Sequence, residues 1–105
     1  DRNIKNAQLV RSDTLDSAYE QFVRDKLDAL AGLRPRLLAD VTKLPGARIL
    51  DGQFSAVQQA IGTARKNAAG AAFLRDFVEE AKASGLVERL IERHKVHGLS
   101  VAPPA

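Results

Sequence analysis

Residues 54–66 read FSAVQQAIGTARK, and the rest of the chain is arranged around them. Val57, Gln59, Ile61 and Thr63 fall on one side of a period-2 alternation. Ala56, Gln58, Ala60 and Gly62 fall on the other. Such alternation predicts a strand, and its small side predicts that another backbone or a ligand approaches closely. Gln58 and Gln59 place two amides within this strand. They need hydrogen-bond partners, in neighbouring loops or water or, if the strand passes between two structural units, along a cleft.

Working outward, short strand-like runs alternate with amphipathic helices on the N-terminal side. Residues 7–10 form an apolar-leaning run. Ser12, Asp13 and Thr14 then offer capping oxygens, and Asp16 suits a first helical turn. Leu15, Ala18, Tyr19, Phe22 and Val23 follow the spacing of one helix face, closed by Asp25 and Lys26. Residues 27–33 (LDALAGL) read as a buried parallel strand, although periodicity alone leaves a helix open. Pro35 suits the first turn of a second helix with Leu37, Leu38, Val41 and Leu44 on its buried side, stopped by Pro45-Gly46. Residues 47–50 are a third short strand, before a turn at Asp51-Gly52.

On the C-terminal side the pattern turns helical. Asn67 is the expected cap of a helix with the stripe Phe73, Leu74, Phe77, Val78 and Ala81. Gly85 ends it by taking positive φ. A last helix carries Leu86, Val87, Leu90 and Ile91 and ends at Gly98. The tail VAPPA is expected to be extended and mobile. Strand–helix–strand alternation predicts an α/β fold with a parallel sheet and right-handed crossovers.

Composition narrows the function. The 105 residues bound the chain to one modest domain, and 45% apolar with 28% charged residues is an ordinary globular balance. No run reaches the ~18 apolar residues of a membrane span, and residues 1–6 lack the character of a signal peptide. With no Met, the chain is expected to be a processed protein or a fragment. Zero Cys excludes disulfides, thiolate metal sites and Cys nucleophiles. The 16 basic and 13 acidic residues are interspersed and aromatics are few, which points away from nucleic acid.

No catalytic constellation stands out. His94 and His97 have an i, i+3 spacing but lie among Glu92, Arg93 and Lys95, as on a solvated face, so no metal site is expected. Asp25 and Asp28 form a weak carboxylate pair, and no Ser sits in a G-x-S-x-G elbow. The better candidate is Gly32-Leu33-Arg34-Pro35, at the end of an expected parallel strand, where open α/β sheets bind ligands. There Arg34 is placed to engage an anion or simply to be solvated, with Arg36 as second choice.

The order VRSDTLDSAYEQFVRDKLDALAGLRPRLL, then SAVQQAIGTARKNAAGAAFLRDFVEEAKASGLVERLIERH, resembles the C-terminal half of family 3 extracellular solute-binding proteins. These are periplasmic receptors of ABC importers. The resemblance implies part of a two-lobed periplasmic-binding-protein type II fold. Residues 1–52 would be the later part of the second lobe, with a partial parallel sheet. Residues 53–66 would be the return crossing strand, residues 67–98 a helix pair packing towards the first lobe, and residues 99–105 a tail. It further implies capture of a small polar solute by hinge closure in the periplasm, delivery to an ABC permease, and no cofactor or catalysis. Gly32, Leu33 and Arg34 would line the ligand cleft, and Gln58 and Gln59 would make hinge hydrogen bonds. Amino-acid-binding members carry an Asp two residues before the Pro that here is Pro35. Leu33 stands there, which favours an organic acid or another solute without an ammonium group. A cyclohexadienyl dehydratase-like enzyme and the sensor domain of a receptor kinase are the alternatives on this scaffold. Faces around Phe54, Val57, Ile61, Phe73 and Phe77 are expected to be exposed and to drive dimerisation.

Overall fold

A computed structural model describes residues 4–105. The described residues form four helices: α1 (Leu15–Arg24), α2 (Arg34–Val41), α3 (Ala68–Ala83) and α4 (Leu86–Arg93). No strand occurs among the described residues, which overturns the expected α/β fold and its parallel sheet. Residues 7–10, 27–33 and 47–50 are irregular, and residues 55–64 run without helix, turn or bend. The physical reason is pairing. Alternation shows that a segment can be extended, but a strand exists only when its N–H and C=O groups meet a neighbour. The two four-residue runs offer little length for a ladder, and none of the three runs hydrogen-bonds to residues 54–62.

The helices follow their local chemistry. Thr14 caps α1 reciprocally: its Oγ1 accepts from the Ser17 N–H at 3.0 Å, and Ser17 Oγ accepts from the Thr14 N–H at 3.0 Å. Two donors that would otherwise be orphaned are thereby satisfied. Pro35 occupies the first turn of α2, which ends at Val41, four residues before Pro45. Asn67 Oδ1 accepts from the Gly70 N–H at 3.0 Å and starts α3. Gly85, at φ 78°, ends α3 and begins α4. The last helix stops at Arg93, before the expected Gly98, because Lys95 already turns to φ 52°.

α3 and α4 form a helical hairpin that supplies the main helix–helix packing. Leu74, Val78 and Ala81 of α3 and Val87 and Ile91 of α4 are half-buried. Phe73 and Phe77 lie outside this seam and stack on each other, with ring centroids 6.4 Å apart and planes 16° apart. Two hydrogen bonds join the tail to α3. Lys82 Nζ donates to the Pro103 carbonyl at 2.9 Å, and the Ala105 N–H donates to Glu79 Oε2 at 3.2 Å.

The chain buries little. Its radius of gyration is 17.8 Å, whereas a compact chain of this length has about 13 Å. Its accessible surface is 9368 Å², against roughly 5,800 Å² for a folded monomer of this mass. Among the described residues no apolar side chain is fully buried. Phe54, Val57 and Ile61 are 71%, 65% and 62% exposed, and Phe73 and Phe77 are 68% and 51% exposed.

Candidate functional site

The Gly32-Leu33-Arg34 stretch lies at the start of α2. Leu33 is the N-cap residue, with extended backbone and no side-chain cap. No parallel strand ends there, so the sheet-end argument for a ligand site has no sheet behind it. A Cβ on Gly32 would meet Leu37 Cδ2 at 3.3 Å, so the backbone turns closely over the helix it precedes. Arg34 reaches back across the chain, and its Nη2 donates to the Gly52 carbonyl at 2.6 Å. Gly98 presses against the same helix start, where a Cβ would lie 2.9 Å from Arg34 Cγ and 3.0 Å from the Pro35 nitrogen. Arg34 thus ties the α2 start to the 51–52 turn, and chain from beyond α4 covers one side of it.

Arg36, the second choice for an anion, sits between two carboxylates. Its Nη1 lies 2.7 Å from Asp16 Oδ1 on α1, and its Nε donates at 2.9 Å to both carboxylate oxygens of Asp40. Hydrogen bonds from Asp40 and then Asp16 push the guanidinium above its ordinary pKa, so it stays charged and matched. Asp40 is only 4% exposed and is the buried charged residue among those described. The i, i+4 spacing of Arg36 and Asp40 was the available signal for this pair. Their link to Asp16, across to another helix, has no local signal.

The remaining candidates stay apart. Gln58 and Gln59 are exposed and make no hydrogen bond among the described residues. His94 caps the end of α4, and no group of three or more metal-binding side chains forms among the described residues. Asp25 is held by its neighbour Arg24 at 2.9 Å, which lowers its carboxyl below the ordinary value. Asp28 is exposed. Open grooves lie along α4, beside Leu86, Arg89 and Arg93, and beside α1, near Ser12, Gln21 and Arg24. In the second, Ser12 Oγ already donates to Gln21 Oε1 at 2.7 Å. Both grooves are open to solvent and not enclosed. Compared with known proteins, the chain matches no family model, no curated protein and no solved structure.

Proposed function

We propose that this chain works by association, as a non-catalytic helical module whose exposed apolar side chains are covered by another polypeptide surface. One observation carries the reading. Phe54, Val57, Ile61, Phe73 and Phe77 are each more than half exposed, while no apolar side chain among the described residues is fully buried. Single exposed apolar residues are ordinary, but this many beside so little burial among the described residues support an unfilled interface. The test is sedimentation velocity over a wide concentration range, beside a thermal-shift panel of amino acids and organic acids. Concentration-dependent association without stabilisation by any solute is expected. A monomer at every concentration, with saturable stabilisation by a small solute, would overturn the reading.

That second outcome belongs to the other reading, a periplasmic solute-binding component of an ABC importer that delivers a small polar solute to a permease. What favours it is the order of residues from 10 to 38 and from 55 to 94. Gly32, Leu33 and Arg34 are its solute-contacting residues and Gln58 and Gln59 its hinge residues. Leu33, lacking a carboxylate, directs the expected solute away from ordinary α-amino acids.

A further inference from the structure

We propose that residues 53–63 pair antiparallel with the same residues of a second copy, on a two-fold axis through Gln58. The proposal rests on the association reading above and names its partner. It starts from an unusual backbone. Residues 53–62 make no hydrogen bond among the described residues, through main chain or side chain, and every residue from 50 to 69 is exposed. The run from 55 to 64 has no bend, and over residues 55–62 its N–H and C=O groups are free. Such a run is a template for another strand.

Charge selects the partner and its direction. Residues 52–64 carry no charged side chain, with Asp51 at one end and Arg65 at the other. An antiparallel pair centred on Gln58 brings Asp51 of each copy to the ribbon end where Arg65 of the other lies. A parallel in-register pair gathers both Asp51 at one end and both Arg65 at the other, and like charges brought together oppose the pairing. The segment is therefore complementary to itself in one direction only, as a two-fold interface requires.

The same register accounts for the alternation in bulk. Phe54 falls opposite Gly62, Ala56 opposite Ala60, and Gln58 opposite Gln58. Nothing lies within 4 Å of where a Gly62 Cβ would stand, so a neighbouring ring has room. An aromatic side chain across from a strand glycine covers its bare backbone. On the other side Val57 falls opposite Gln59 and Ser55 opposite Ile61, so apolar and polar side chains mix there. Phe54, Val57 and Ile61 all gain cover. The result is a two-stranded ribbon between copies, distinct from a parallel sheet within one chain.

Two measurements test it, and the absence of native Cys makes the first clean. Gln58→Cys and Ser55→Cys variants are each oxidised and, separately, treated with an ethane-bridged bis-maleimide. Directly opposed residues have Cβ atoms about 5 Å apart. The two copies of residue 55 would be offset by roughly 20 Å along the ribbon. Efficient cross-linking of Gln58→Cys is expected, with little of Ser55→Cys, and equal cross-linking of both overturns the register. The second measurement is sedimentation of Gln58→Pro and Gln59→Pro, because in an antiparallel pair only one of two consecutive residues turns its N–H to the partner. Neither proline breaks a hydrogen bond of the monomer, so helical content should be unchanged. For the variant that removes a pairing N–H, the dimer dissociation constant should rise by at least about tenfold. If both variants dimerise like the parent chain, the pairing is wrong while association through another surface stands. If the parent chain stays monomeric and a small solute stabilises it, the association reading itself falls.

Discussion

Gly98→Ala is expected to unfasten the C-terminal helical hairpin from α2. Two costs add at this position. Gly98 has φ 87°, in the left-handed region, where a Cβ costs about 1–2 kcal/mol. The new Cβ would also stand 2.9 Å from Arg34 Cγ, 3.0 Å from the Pro35 nitrogen and 3.2 Å from the Arg34 carbonyl carbon. Arg34 Cγ can swing aside, but the two backbone atoms cannot without moving the start of α2. Overpacking of this kind costs about 1–3 kcal/mol. The total is therefore roughly 2–5 kcal/mol, of the order of the entire stability of many small domains. Gly46 and Gly52 provide the control. Their φ values are 84° and 82°, and nothing lies within 4 Å of either added Cβ, so Gly46→Ala and Gly52→Ala should show the conformational cost alone. The assay is urea unfolding followed by far-ultraviolet circular dichroism, with hydrogen exchange of the first α2 amides that form helical bonds. Gly98→Ala should lose at least about 1 kcal/mol more than either control and should deprotect those amides. Equal losses for all three variants would refute the contact between the α4 exit and the α2 start.

Further predictions concern the ties that hold the helices and the tail. Glu79 has its carboxyl lowered from 4.5, first by the Lys82 hydrogen bond and then by the Ala105 N–H. A depressed folded pKa gives stability that is present above 4.5 and lost as pH falls through the folded value. Acidification below the ordinary Glu range should therefore release the tail, read as loss of exchange protection at the Ala105 amide, and Glu79→Gln should abolish that pH dependence. Thr14→Ala removes the reciprocal α1 cap and should cost about 1 kcal/mol in urea unfolding, with Ser recovering most of it. Arg34→Ala should cost about 1 kcal/mol and shift the Gly52 amide and carbonyl resonances without changing helical content. An unchanged Gly52 environment would argue against that tie.

Legibility followed the range of the interaction. Thr14, Pro35, Asn67 and Gly85 mark helix boundaries through partners within about four residues, and each lies where its chemistry placed it. The stripe of α3 was legible as apolar, but its division was not. Leu74, Val78 and Ala81 are half-buried, whereas Phe73 and Phe77 stack in the open, and only what packs against α3 decides between them. The candidate site fared similarly. Arg36 was visible as a cation beside a helix start and Asp40 as its i, i+4 partner, but Asp16 reaches it only when α1 and α2 approach. Arg34 could be read as a ligand clamp because its bond to the Gly52 carbonyl spans eighteen residues.

The segment FSAVQQAIGTARK shows the division most clearly. Its alternation, its neutrality and the opposite charges of Asp51 and Arg65 belong to the residues themselves and mark a chain able to lie as a strand. Whether it becomes one depends on a second row of backbone groups at hydrogen-bonding distance, and among the described residues no such row reaches it. Side-chain order along a segment determines which faces it can offer. Packing in three dimensions determines which of those faces are answered, because burial and strand pairing both need a partner distant in sequence.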